Sequence, residues 1–195
     1  MGEPLYSNES EKIQKEATNG LLLFDEVKRL FATPTHSQII SRSEIERPHE
    51  VAIKDIYSCA GSCRQWSVTI QGAKHKPPRF LYVEGFLDQM CEESSTHEEW
   101  GAIKVSAYVL WRLNWIHPFA GGNGRTARAA SYLVLCRCLN FIPPGKLTIP
   151  EQIVSNRARY QDALEEADAS WENQVLDVSS LEILLEEFLT KQLGG

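Results

Sequence analysis

The sequence predicts an all-α fold carrying one small β-hairpin. Apolar residues recur at three- and four-residue steps through most of the chain, and only one short segment alternates like a strand. No repeat, low-complexity tract or long linker divides the 195 residues, so a single domain over 1–195 is expected, long enough to bury a sizeable core. The first helix is read over 9–32, where Ile13, Ala17, Leu21, Phe24, Val27, Leu30 and Phe31 share a face and Thr33-Pro34 ends it. Pro48 is read as opening a short helix through Val51, Ile53 and Ile56 that stops at Gly61. Residues 66–71, WSVTIQ, alternate and are rich in β-formers, which predicts a strand or hairpin arm closed by Gly72 and Pro77-Pro78. Helix resumes over roughly 80–93 (Leu81, Phe86, Leu87, Met90) and over 97–116 (Trp100, Ile103, Ala107, Leu110, Trp111, Trp115). The run 123–140 is apolar on most sides, as expected of a central buried helix, and Pro143-Pro144-Gly145 breaks it. Two further helices are expected near 150–168 and over 179–192, the last with a stripe of Leu181, Leu184, Leu185, Phe188 and Leu189.

Composition narrows the function. Twenty Lys plus Arg against 26 Asp plus Glu leave a net charge of −6, which argues against general nucleic-acid binding. Five cysteines, Cys59, Cys63, Cys91, Cys136 and Cys138, are scattered and odd in number, as in packing thiols of a reducing compartment rather than a secreted disulfide framework. No run of 18 apolar residues predicts a membrane span, and the polar start MGEPLYSNES does not read as a signal peptide. The chain therefore reads as cytoplasmic, and export without a cleaved leader is compatible with it.

The informative segment is His117-Pro118-Phe119-Ala120-Gly121-Gly122-Asn123-Gly124-Arg125-Thr126-Ala127-Arg128. Three glycines in four positions open a helix whose first N–H groups lack intrahelical partners, and the helix dipole adds positive potential there. Gly122, Asn123, Gly124 and Arg125 then form an anion cradle, with Asn123 adding amide donors at its lip. Arg125 and Arg128, three apart, can face one ligand, and His117 stands beside them as a proton acceptor. A base next to a phosphate-binding helix terminus suits transfer of a phosphorus-containing group to a hydroxyl. No lysine follows the glycines, which excludes a P-loop, and a Trp-rich helix rather than a strand precedes them, which excludes a dinucleotide fingerprint. His36, His49, His75 and His97 have no such neighbours and are read as surface residues.

This segment closely resembles the signature of the Fic (filamentation induced by cAMP) family, His-Pro-Phe-x-(Asp/Glu)-Gly-Asn-Gly-Arg-x-x-Arg. Ala60-Gly61-Ser62-Cys63-Arg64 with the β-segment and Pro77-Pro78 is similar to the family's flap region, and Arg157-x-x-Tyr160 with Leu164 to a later helical region. The likeness covers about residues 50–168. It implies an α-helical bundle with a β-hairpin flap, the helices 9–32 and 179–192 packing on it, and most commonly transfer of AMP from ATP to a Ser, Thr or Tyr hydroxyl of a protein. It also implies His117 as general base, Gly122, Asn123 and Gly124 as anion hole, Arg125 and Arg128 on the outer phosphates, and Ser67, Val68, Thr69, Ile70 and Gln71 as the edge on which a target docks.

One motif position departs from the signature. Gly121 stands where AMP-transferring members carry Asp or Glu for Mg²⁺, so magnesium is expected to be weakly held and charge on the leaving group to fall to arginines and backbone donors. The rival reading is a pseudoenzyme that kept the cradle and binds a nucleotide or partner. No clean inhibitory (Ser/Thr)-x-x-x-Glu-(Gly/Asn) motif is present; Glu11 and Glu16, the nearest candidates to reach Arg128, read rather as the exposed face of an amphipathic helix, and a separate inhibitory partner is equally compatible.

Overall fold

The structure, a computed structural model, describes residues 2–34, 38–70, 72–96 and 99–194. Its elements are α1 (Glu9–Ala32), α2 (Ser43–Ala52), a 3-10 turn at Phe80–Tyr82, α3 (Val83–Thr96), α4 (Ala102–Ile116), α5 (Asn123–Leu139), α6 (Ile149–Ser155), α7 (Arg157–Glu172) and α8 (Ser179–Gly194).

The centre is the pair α4 and α5, apolar nearly all round, with every residue from Val105 to Leu113 and from Ala129 to Cys136 buried. Small residues let them approach: Ser106 and Ser131 exchange hydroxyl-to-carbonyl bonds of 2.9 Å in both directions. The remaining helices pack round this pair in the main core, and Ala52, Ile53 and Ile56 form a small second one beneath the loop. Arg137 of α5 gathers the far end, donating to Glu44 and to the carbonyls of Leu30 and Ile39. Gln192 of α8 donates to Tyr132 Oη and the Pro143 carbonyl and accepts from the Ile149 amide. Behind the end of α4, the buried Arg112 guanidinium lies 4.4 to 5.5 Å from the rings of Trp115, Trp171, Phe86 and Trp111, whose π-faces stand in for polar partners that its Nε and Nη1 lack among the described residues.

The helical class and the first, central and last helices are as expected; the helix expected over 97–116 begins at Ala102, and four further features differ. Pro48 lies inside α2 rather than at its start, and the helix ends at Ala52. The true start is marked by Ser41, whose amide and hydroxyl both donate to Glu44, and one missing N–H is offset by burial of the proline ring. The expected 150–168 helix is two, divided at Asn156, whose side chain donates to the Gln152 carbonyl and competes with the backbone ladder. The stripe of α1 is only half buried. Val27 and Leu30 are in the core, whereas Ile13 and Leu21 are 58% and 76% exposed, because α1 meets the end of α2 through Asn19, which donates to the Lys54 carbonyl. Finally, residues 66–70 form no strand, and among the described residues the only β-bridge is an isolated one between Pro4 and Tyr57. Alternation supplied a strand-like pattern, but a two-stranded ribbon without a packed face is marginal in water, and here the backbone is irregular. No helix among the described residues is long and apolar enough to cross a membrane.

Candidate active site

α4 ends at His117, whose amide donates to the Leu113 carbonyl at 3.0 Å and whose φ of +50° turns the chain out of the helix. Pro118 and Phe119 then dive inward, and Phe119 is fully buried. The Asn123 side chain closes this loop: Oδ1 accepts from the Phe119 amide at 2.9 Å and Nδ2 donates to the Phe119 carbonyl at 2.8 Å. Both ends of the amide are therefore committed to the loop. Asn123 is not a donor at the lip, and its side chain shapes the cradle rather than lining it.

Gly122 precedes α5 at φ +76°, and an added Cβ would lie 2.6 Å from Ile53 Cγ2. The first turn of α5 has neither a side-chain cap nor an acidic residue, which leaves its N–H groups directed at a cavity of about 450 Å³. That cavity is lined by His117, Gly122, Gly124, Arg125 and Arg128 on one side and by Arg157 and Tyr160 of α7 on the other. Arg128 has no ion pair or hydrogen bond among the described residues, so its guanidinium is uncommitted at the cavity; burial lowers its pKa. Arg125 is occupied: Nη1 donates to the Ala52 carbonyl at 2.9 Å and Nη2 to Glu16 of α1 at 3.1 Å. Glu16 thus meets the first motif arginine rather than the second, and Glu11 turns instead to Lys15 and the Ser7 amide.

The His117 ring faces the cavity with Nδ1 buried and without a partner of good geometry. Burial lowers its pKa to about 4, against the opposing Asn114 carbonyl and with help from Arg64 and His75. The ring is therefore neutral, and able to accept a proton, throughout the neutral range. Of the docking edge, only Ile70 lines the cavity; Ser67 and Thr69 are exposed, Val68 is half-buried, and Gln71 lies outside the described residues.

Residues 39–135 match the model of the Fic/DOC family. The chain belongs to that family. Solved Fic structures share its fold: a Fic family protein from Desulfovibrio desulfuricans G20 (18% identity, TM-score 0.71, 97% of this chain and 54% of that one) and Fic-1 from C. elegans (21%, 0.71, 92% and 51%). BepC of Bartonella tribocorum, solved with bound AMPPNP, aligns at 15% identity and TM-score 0.58 over 90% of this chain and 86% of its own. The chain spans about half the length of the first two. No curated protein matches it. The family includes AMPylation-type transferases that act on protein substrates.

Two buried residues that hold the Fic loop were not singled out from sequence. Arg64 donates through its side chain to the carbonyls of Ile116 and His117. His49, read as a surface residue, is fully buried and stacks on Phe119 with ring centroids 3.6 Å apart. The Gly61 amide donates to its Nδ1, which fixes the proton on Nε2, and Nε2–H donates to the Gly121 carbonyl at 3.0 Å. His75 is also half-buried, with Nε2 2.8 Å from the Trp115 carbonyl, while His36 and His97 lie outside the described residues. A lone histidine before Glu50 and Val51 carries no sequence signal for such a role; only the tertiary partners reveal it.

Burial lowers the His49 pKa to about 4, with Arg125 adding to the effect and the Gly121 carbonyl opposing it. The unfolded chain binds this proton near pH 6.5 and the folded one only near 4, so stability falls as pH drops between those values. The expected loss at pH 4 is about 3 kcal/mol. Urea unfolding from pH 7 to pH 4 checks this: a His49→Gln variant should lose that share of the pH dependence, and an unchanged slope would exclude His49 as its source.

Proposed function

We propose that this protein transfers AMP, or a related phosphorus-containing group, from ATP or another nucleotide to a hydroxyl side chain of a protein. The observation that carries the reading is the juxtaposition of a neutral His117, its Nδ1 unpartnered, with an uncapped helix N-terminus and an unpaired Arg128 across one cavity. BepC, which shares the fold, binds AMPPNP, and this supports a nucleotide as donor. The backbone N–H groups of Gly122, Asn123 and Gly124 would hold the inner phosphates and Arg128 the outer ones. Arg125 would join them on release of Glu16. The target hydroxyl oxygen would then attack the α-phosphorus, its proton passing to His117 as the bond to the pyrophosphate oxygen breaks.

The cradle does not fit a protein-held magnesium ion. Position 121 offers no carboxylate, no group of three His, Cys, Asp or Glu able to hold a metal occurs among the described residues, and Glu165 and Asp168 at the cavity are engaged by Lys74 and Trp111 Nε1. Leaving-group charge therefore falls to the arginines and backbone donors, which implies slow transfer.

Intact-mass spectrometry after incubation with ATP, with and without Mg²⁺, tests the reading through self-modification. A gain equal to one AMP supports it, a gain equal to one phosphate moves the reaction to phosphotransfer, and no gain with ATP still bound favours the pseudoenzyme. Gly121→Asp sharpens the test. An added Cβ there finds only Tyr57 Cε2, at 3.9 Å, so the variant is expected to fold normally and to show a magnesium-dependent rise in transfer. The second reading, a nucleotide- or partner-binding pseudoenzyme, has the Glu16–Arg125 pair and Gly121 in its favour and predicts no transfer from the native form; transfer gained only by Gly121→Asp would make the glycine the lesion.

A further inference from the structure

We propose that Arg64 is a positioning residue that makes the 66–78 excursion and the His117 loop one mechanical unit. The guanidinium is 2% exposed and satisfied by carbonyls. Nε donates to His117 O at 2.8 Å, Nη1 to Trp66 O at 3.0 Å, and Nη2 to Pro78 O at 2.6 Å and Ile116 O at 3.3 Å. The Arg64 amide adds a bond of 2.8 Å to Pro118 O. One side chain therefore ties both stems of the excursion, twelve residues apart in sequence, to Ile116 and His117, and the backbone amide of the same residue holds Pro118. The geometry demands arginine, since a lysine ammonium cannot reproduce a planar fork that reaches four acceptors.

Two features make this tie matter. The excursion has almost no internal support: among residues 66–70 and 72–78 the backbone bond is a single turn from Ala73 N to Ile70 O; outward, Lys74–Glu165 is a surface pair of small worth, and besides Arg64 the firm tie is His75 Nε2, 2.8 Å from the Trp115 carbonyl. Meanwhile His117 holds a left-handed backbone that a non-glycine residue keeps only when its surroundings fix it, and Arg64 Nε grips the carbonyl of that very residue. Resting on the transferase reading, the consequence is that a target docked on the excursion meets the His117 ring at a set distance. The coupling itself stands independently of any reaction.

The test is NMR on the whole chain, comparing wild type with Arg64→Lys. In wild type, amide order parameters at both stems (66 and 79) and at 116, 117 and 119 are expected near 0.85; in the variant both groups should fall together, towards about 0.6. The His117 ring should titrate closer to its ordinary value in the variant, while ATP affinity by calorimetry changes less than about twofold, because Arg64 does not line the cradle. Loosening confined to one segment, or an unmoved His117 titration, overturns the proposal. Should the variant not fold, the wild-type Arg64 Nε–H decides: slow solvent exchange supports the clip, and rapid exchange overturns it. None of these readouts requires transfer, so a failed mass-gain assay would defeat the proposed function and leave this result standing.

Discussion

Replacing His117 by alanine is expected to reduce AMP transfer by about 100- to 10 000-fold while ATP affinity stays within about twofold. The two quantities separate because different atoms carry them. In the proposed site the phosphates would be held by backbone N–H groups of α5 and the Arg128 guanidinium, and the imidazole would contribute to neither. On the transferase reading the neutral imidazole is the proton's destination, so its removal abolishes that step and leaves the cradle intact. The pH profile gives an independent check. A base that must be neutral and titrates at about 4 keeps transfer level from pH 7 down to about pH 5, and the rate falls only as pH passes through 4. An acid limb near 6.5, or a variant that loses ATP binding along with transfer, would contradict the assignment.

Gly122→Ala is expected to destabilise the fold by about 3 kcal/mol, or roughly 6–12 °C in melting midpoint. Two penalties add. The residue sits at φ +76°, where a side chain costs about 1–2 kcal/mol, and its new Cβ would meet Ile53 Cγ2 at 2.6 Å and His49 Cδ2 at 3.4 Å. Ile53 cannot yield easily, being fully buried with Ala52 and Ile56 in a second small core under the loop. The neighbouring glycines provide the control. At Gly124 the nearest atom is Arg128 Nη1, the movable tip of a long side chain, and at Gly121 there is open room. A thermal melt of Gly122→Ala indistinguishable from those of Gly121→Ala and Gly124→Ala would refute the argument.

Periodicity and local chemistry made much of this legible in advance. The three- and four-residue spacing found α1, α4, α5 and α8 because each buries an apolar face, and the glycine cluster after His117 marked the uncapped start of α5. What sequence could not show was set by partners far along the chain. Asn123 reads as a donor until Phe119 is folded beneath it, and His49 reads as surface until Gly61 and Gly121 close on its two nitrogens. Arg64 is one arginine among many until four carbonyls from three separated stretches converge on it. The strand-like 66–70 failed for the opposite reason: its pattern was present, and the neighbouring strand that would have made the pattern count was not.

The room beside Gly121 also bears on how such a protein can change over generations. Any glycine codon becomes an aspartate or glutamate codon through one base change at its middle position. At residue 122 that step is closed by Ile53, but at residue 121 nothing in the fold opposes it, since the nearest atom to a new side chain is the edge of Tyr57. A carboxylate at the metal position of the motif is thus a single neutral-to-stability mutation away in either direction. On the transferase reading, a lineage carrying this fold could set the pace of its chemistry by drift at one codon, without first rebuilding the scaffold.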